Sequence, residues 1–180
     1  MKFLLKNCTD GSEPIYKTEF SVSEECGRLT FMFDAKNSQC FCCDSGYNKI
    51  HSLGDVCEIL IGTDPQRKLY YEIEISPRGE LMIAKMTNSG VDSQGKPILD
   101  IDFVEKPFID AAVRKTESGY VATLTFDKEK IITGEGEIYF NAYRIETDGG
   151  EAEKYLFALN PTMQGRFHVP DKFVWLKEYV

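Results

Sequence analysis

A short C-terminal segment concentrates hydrogen-bonding side chains beside an aromatic ring. Asn160, Gln164 and His168 offer hydrogen-bond donors and acceptors, and Phe167 offers a flat apolar ring. A sugar has one face of C–H groups and an edge of hydroxyls, so its site needs aromatic surface beside planar polar groups. The segment therefore predicts a ligand site with Phe167 as its exposed platform. The alternative interpretation is that Phe167 closes one end of the fold and His168 caps a turn.

A carboxylate in an apolar strand is the second candidate. In "DVCEILIG", alternation places Glu58 on the same face as Val56 and Leu60. A carboxylate on an apolar face needs a partner, and Arg144 in "NAYRIE" is the predicted one. The pair is either a structural ion pair or part of a clamp for sugar hydroxyls.

The strand around Tyr143 also presents hydrogen-bonding groups on one face. Tyr139, Asn141 and Tyr143 alternate in "EIYFNAYRIE" and therefore share a side of the strand. Such a face suits a ligand groove, and it equally suits an ordinary solvated sheet.

No arrangement for catalysis is recognisable in the sequence. There is no nucleophile elbow, no phosphate-binding loop and no dinucleotide fingerprint, and nothing in their spacing pairs Cys57 with His51 as a dyad. Acidic residues two apart on a strand project from one face, which is typical of surface charge rather than of carboxyls facing across a cleft. These acidic pairs are Glu72 with Glu74 and Asp100 with Asp102. The sequence thus predicts a binding protein rather than an enzyme.

Length and composition indicate one acidic domain over residues 1–180. The 180 residues are 42% hydrophobic and carry a net charge of −8, with no basic cluster, which argues against nucleic-acid binding. No apolar run approaches the roughly 20 residues of a membrane span. The N-terminal apolar stretch is too short for an export signal, so we expect a cytoplasmic protein, or a secreted one if the N-terminus is truncated. Because three of the six cysteines crowd into "QCFCCD", we expect reduced thiols.

Strand signals dominate the chain. Alternating segments separated by turn residues predict about ten strands in an antiparallel β-sandwich of the jelly-roll kind, with one helical turn at 127–133 whose N-cap is Asp127. We expect an exposed loop at 86–97 and a last strand in which Trp175 packs into the core. The strand segments expected before the C-terminal hairpin are 15–22, 28–35, 39–44, 55–62, 69–76, 80–86, 97–104, 111–117 and 119–126.

Three segments taken in order resemble the family-nine carbohydrate-binding modules. They are "DVCEILIG" with "YYEIEISPRGEL", then "ESGYVATLTFDKEKI", then "FNAYR" through "NPTMQGRFHVPDKFVWL". The resemblance implies a non-catalytic β-sandwich that binds a mono- or oligosaccharide, with a role in carbohydrate catabolism. It also places Phe167 at the family's stacking ring, Glu58 at its ligand-contacting carboxylate and Tyr143 at a hydrogen-bonding position, with Asn160 in the same loop.

Two further expectations come from the same resemblance. The family's first stacking ring falls on His51, Ser52 and Leu53, where this chain has no Phe, Tyr or Trp. This departure leaves open an alternative in which the sandwich has lost sugar recognition and serves as an interaction protein. The family also binds structural calcium through loop oxygens, for which Asp44 and Asp55 are the candidates here.

Overall fold

The computed structural model describes residues 1–37, 39–42, 46–50, 54–150 and 154–180, which form two antiparallel sheets. The first sheet has the strand order β1-β3-β4-β10-β9. Its strands are β1 Phe3–Leu4, β3 Thr18–Glu25, β4 Arg28–Lys36, β9 Asp110–Thr116 and β10 Gly119–Asp127.

The second sheet has the order β2-β12-β11-β5-β6-β7-β8, and β13 also pairs with β11. Its strands are β2 Lys6–Asn7, β5 Val56–Gly62, β6 Leu69–Ile75, β7 Leu81–Val91, β8 Pro97–Phe103, β11 Tyr139–Glu146, β12 Tyr155–Ala158 and β13 Val174–Trp175. The helical content of the described residues is three short 3-10 turns, at Lys128–Ile131, Pro170–Lys172 and Leu176–Glu178. The predicted all-β sandwich is therefore confirmed.

The core lies between the two sheets and follows from alternation within the strands. Phe31 and Phe33 of β4 meet Ile59 of β5 and Phe140 of β11 in one buried cluster. Rings from opposite sheets contact each other directly, because Phe31 lies 5.7 Å from Phe140 between ring centroids. These inward residues alternate with outward ones, as expected for strands packed on one face.

The second sheet is unusual because its outer face is buried as well. The chain after β12 crosses this face and packs Phe167 and Phe173 against Tyr70, Tyr139 and Tyr143. As a result every residue of β5 is buried, including those that point away from the core. The candidate site lies on this outer face, between the sheet and the segment that covers it.

Several elements differ from the sequence prediction. Segment 39–44 contributes one isolated bridge, Cys42 to Gly54, in its described part. β7 continues to Val91, so half of the predicted loop 86–97 is strand, since pairing with β8 satisfies its backbone. The last strand is two residues long, and Asp127 makes no side-chain cap hydrogen bond to the turn that follows it.

The predicted reduced thiols agree with the described cysteines. Cys8, Cys26, Cys40, Cys42 and Cys57 are all free. In the described ranges no helix has the length and apolar character needed to cross a bilayer.

Candidate functional site

Three glutamates come together on the outer face of the second sheet. Glu58 lies directly opposite Glu74 in the β5–β6 register, and Glu72 is two residues along the same strand. One carboxylate oxygen from each lies within 4.8 Å of the others. Their exposed fractions are only 2% for Glu58, 2% for Glu72 and 1% for Glu74. Sequence alternation predicted the face of Glu58 correctly, but interpreting Glu72 and Glu74 as surface charge was wrong.

Burial of like charges shapes the chemistry of this cluster. Desolvation raises the pKa of Glu58 well above its usual value, and the charges of Glu72 and Glu74 raise this pKa further. Oxygen Oε1 of Glu58 is buried and has no hydrogen-bond partner within the described part of the chain. An acceptor of this kind favours either a proton or a cation.

His168 brings a titratable ring to the edge of the cluster. Its Nδ1 lies 2.9 Å from the Tyr70 hydroxyl, and its Nε2 lies 3.7 Å from Oε1 of Glu72. Asn88 donates to the Tyr70 oxygen at 3.3 Å, which leaves the Tyr70 hydrogen available for Nδ1. A neutral His168 then carries its proton on Nε2, facing the carboxylates.

Phe167 is not the exposed platform that the sequence predicted. It is 7% exposed, and its ring stacks on Tyr143 with centroids 4.3 Å apart and an interplanar angle of 19°. The Tyr143 hydroxyl donates to the Phe167 carbonyl at 3.0 Å, which fixes the loop against β11. Because Tyr143 pairs with Glu58 across β11 and β5, the stacked rings lie next to the carboxylates.

The 159–173 segment crosses the outer face of the second sheet and is called the crossing segment. Asn141 and Asn160 hold it in place. The Asn141 side chain donates to the Asn160 carbonyl at 2.8 Å and accepts from the Asn160 backbone N–H at 3.0 Å. Asn160 in turn donates from its side chain to the Lys172 carbonyl at 2.8 Å. Both amides, predicted as ligand contacts, therefore have backbone partners in this structure.

Arg144 lies on the other face of the sheet and does not contact Glu58. It is paired in register with Cys57, so it points into the space between the sheets. There it is fully buried and forms an ion pair with Glu146, and it donates to the Thr18 hydroxyl at 2.9 Å. The predicted Glu58–Arg144 pair is wrong because neighbouring strand residues face opposite ways.

Asp55, the described member of the expected calcium pair, is held by hydrogen bonds from two other segments. Asp55 accepts hydrogen bonds from the backbone and hydroxyl of Thr147 at 2.8 and 2.7 Å, and from the Phe41 N–H at 2.8 Å. Asp55 therefore serves to tie loops together. Asp44, like His51, Ser52 and Leu53 at the predicted first-ring position, lies outside the described residues.

Structural comparison relates this geometry to known proteins. A carbohydrate-binding candidate from Bacteroides uniformis ATCC 8492 matches with a TM-score of 0.73 at 13% identity, over 96% of this chain and 84% of that one. A family 9 carbohydrate-binding module from Caldicellulosiruptor kristjanssonii, solved with glucose, matches with a TM-score of 0.52 at 10% identity, over 93% and 87% of the two chains. The chain has the fold of a family 9 carbohydrate-binding module. No protein-family model and no curated protein matches the sequence.

Within this module fold, Glu72 and Glu74 are the site residues that sequence reasoning missed. A signal for them was present in "VCEILIG", because a nearly continuous apolar run indicates a strand covered on both faces. If both faces of β5 are covered, the outward residues of its neighbour β6 are covered too. The sequence could therefore have predicted that Glu72 and Glu74 are buried.

Proposed function

We propose that this chain is a non-catalytic carbohydrate-binding protein whose site lies on the outer face of the second sheet, along the 160–170 segment. The observation that carries the proposal is the convergence there of buried carboxylates, an imidazole and an aromatic stack. Glu58 and Glu72 supply acceptors, His168 supplies a ring nitrogen, and Phe167 with Tyr143 supplies apolar surface. These are the groups that hydroxyls and C–H faces of a sugar require.

His168 is the residue best placed to contact a ligand from outside. It is half-buried, whereas the three glutamates beneath it are enclosed. A sugar hydroxyl that bonds to Nε2 of His168 would approach the edge of Glu72 as well, because these groups lie 3.7 Å apart. In this arrangement the buried Phe167–Tyr143 stack fixes the segment that carries His168 and does not offer an exposed platform.

The carboxylate geometry supports binding without hydrolysis. Glycoside hydrolysis uses two carboxyl groups on opposite sides of the scissile bond, about 5–10 Å apart across a cleft. Here the three carboxylates lie within 4.8 Å of one another on a single sheet face. They therefore do not form the opposed pair of carboxyls, one on each side of a glycosidic bond, that hydrolysis requires.

The direct test is calorimetric titration with mono- and disaccharides, beginning with glucose, the ligand of the family 9 module from Caldicellulosiruptor kristjanssonii. We expect saturable binding, and we expect His168→Gln to weaken it about tenfold through the loss of one buried polar contact. Asp171→Asn is the matched control, because Asp171 is exposed on the same segment.

Three outcomes would contradict this proposal or a part of it. A blank glycan array together with no heat at millimolar sugar would favour the alternative, a sandwich that does not recognise sugars. Binding that is unchanged by His168→Gln would place the sugar on another surface. Turnover of a model glycoside would instead contradict the non-catalytic part of the proposal.

A further inference from the structure

Strand β8 is the free edge of the second sheet, and its two faces carry different side chains. On the outer face Ile101 and Phe103 are 43% and 47% exposed, and together they form an apolar strip. On the other face of the same strand stand Asp100 and Asp102, which are exposed as well. Edge strands usually carry charged side chains that discourage association, and here only one of the two faces does so. The apolar strip is therefore a feature of the outer face alone.

The register of the sheet connects this strip to His168. Phe103 pairs with Ala84, and Ala84 pairs with Glu72, so these three residues lie in one row across β8, β7 and β6. Adjacent strands are about 4.8 Å apart, so Phe103 is about 10 Å from Glu72 along the row. Glu72 is the carboxylate that lies 3.7 Å from Nε2 of His168. A ligand that contacts His168 and extends over two strands thus reaches Phe103.

The neighbouring row makes the same connection for Ile101. Ile101 pairs with Met86, and Met86 pairs with Tyr70, whose hydroxyl lies 2.9 Å from Nδ1 of His168. Met86 and Tyr70 are buried members of the outer-face cluster, which confirms that Ile101 faces the same side as His168. Both residues of the apolar strip therefore lie in rows that begin beneath the imidazole.

The strip offers apolar area and no side-chain hydrogen bond. A second sugar ring would need planar polar groups beside an apolar surface, as the first one does. Ile101 and Phe103 have no polar side-chain atoms, and neither do Leu99, Ala84 and Met86, their outer-face neighbours. An apolar group, in contrast, gains free energy here simply by leaving water. The chemistry of the strip thus favours an apolar substituent over a further sugar.

We propose that Ile101 and Phe103 bind an apolar aglycone, so that the preferred ligands are glycosides whose sugar carries an aryl or short alkyl group. This inference rests on the proposed function, because the sugar itself is held at His168. Phe103 offers an aryl group a ring to pack against, and Ile101 extends the contact along the strand.

The test is calorimetric titration with methyl β-glucoside, phenyl β-glucoside and the disaccharide cellobiose. We expect phenyl β-glucoside to bind about tenfold more tightly than methyl β-glucoside, because its ring buries apolar area against the strip. Cellobiose, which adds a polar ring at the same position, should bind within about twofold of methyl β-glucoside.

Phe103→Thr is the deciding variant because it removes the ring and keeps a residue type that suits a strand. We expect it to reduce the phenyl preference from about tenfold to about twofold. Ile98→Thr is the matched control, since Ile98 is 49% exposed on the same strand but on its other face, and it should keep the full preference. If Phe103→Thr does not fold, Ile101→Thr provides the same test with a loss of about threefold.

The outcomes separate this inference from the proposed function. Equal affinities for the methyl and phenyl glucosides would overturn the inference and leave the sugar site intact, and so would a phenyl preference that survives Phe103→Thr. Tight cellobiose binding that Phe103→Thr removes would assign the strip to a second sugar, and self-association that it removes would assign the strip to a protein interface. If no glucoside binds, the proposed function fails and this inference fails with it.

Discussion

Two buried charged clusters lie on opposite faces of the second sheet and are built in opposite ways. On the inner face Arg144 forms an ion pair with Glu146, and the same guanidinium donates to Thr18 and to the Lys36 carbonyl. On the outer face three carboxylates approach each other, and one oxygen of Glu58 has no partner within the described residues. The inner cluster pairs an acid with a cation of the same strand, whereas the outer one brings three acids together.

This difference separates a structural role from a ligand role. Glu146 also accepts from the Asn37 side chain at 2.9 Å and from the Asp148 backbone at 2.8 Å, so its buried charge is well satisfied. Such a network holds the two sheets in one arrangement, although Nε of Arg144 is buried without a hydrogen-bond partner in the described residues. A buried acceptor without a partner, such as Oε1 of Glu58, gains free energy when a hydrogen-bond donor or a proton reaches it.

The largest effect should come from breaking the inner cluster. Arg144→Met leaves Glu146 buried without its cation, and we expect the free energy of unfolding to fall by about 3–5 kcal/mol. Thr18 and the Lys36 carbonyl also lose a donor. Urea denaturation measures the change. In a chain of this size such a loss corresponds to a Tm lower by roughly 6–20 °C.

The control for this variant is an ion pair at the surface. Arg28 bonds to Asp110 at 2.6 Å, but both side chains are largely solvated. Arg28→Met should therefore cost at most about 1 kcal/mol. Equal losses in the two arginine variants would contradict the assignment of Arg144 to a buried structural network.

The two clusters also show what the sequence can and cannot predict. Alternation in "LYYEIEI" and "VCEILIG" correctly assigned the faces of Glu58, Glu72 and Glu74, because the period of a strand is local. It did not show that the 159–173 segment covers the outer face, since that contact joins residues far apart in the chain. For the same reason Phe167 was expected in solvent, whereas the Tyr143 ring on the strand below buries it.

The sequence pattern of each strand also led to a wrong charge pair. Arg144 and Glu58 were matched because both are charged residues in apolar strands, without comparing their parity in the β5–β11 register. The register pairs Arg144 with Cys57 and Tyr143 with Glu58, so Arg144 must face inward. Strand pairing therefore decides which charges can meet, and this pairing is a property of the folded sheet rather than of either segment.

A smaller effect, of opposite sign, should come from the outer cluster. Glu58→Gln replaces a buried acid by an amide that can donate to Glu72 or Glu74, and at pH 7 we expect a gain of about 1–3 kcal/mol in the free energy of unfolding. The pKa of Glu58 is raised in the folded state by burial, Glu72, Glu74 and Cys8. Its contribution to stability is therefore fully present below the unfolded pKa and is lost as the pH rises through the folded pKa.

The measurement for this prediction is the difference in stability between the two proteins across pH. The advantage of Glu58→Gln should grow from pH 5 to pH 8, because folding of the unmodified protein then requires Glu58 to take up a proton or to bury its charge, whereas Gln requires neither. Taking the difference removes the contribution of other acids, such as Asp92, whose pKa is lowered by hydrogen bonds from backbone N–H groups. A difference that stays constant over this range would show that Glu58 titrates normally.

The smallest effect should come from the hydrogen bond that fixes the crossing segment above the outer cluster. Tyr143→Phe keeps the ring that stacks on Phe167 but removes the donor to the Phe167 carbonyl, which still accepts from Val169 N–H. We therefore expect a loss of only about 0.5–1.5 kcal/mol.

Tyr47→Phe is a matched control for this last change, because the Tyr47 hydroxyl donates to the Val104 carbonyl at 2.9 Å and Asn48 donates to the same oxygen. Both variants should lose similar stability, since each leaves its carbonyl one donor. Only Tyr143→Phe should speed hydrogen exchange at Val169, because only Tyr143 ties that segment to β11. Equal exchange in the two variants would mean that stacking and the Asn141–Asn160 bonds hold the segment over the carboxylates without help from the hydroxyl.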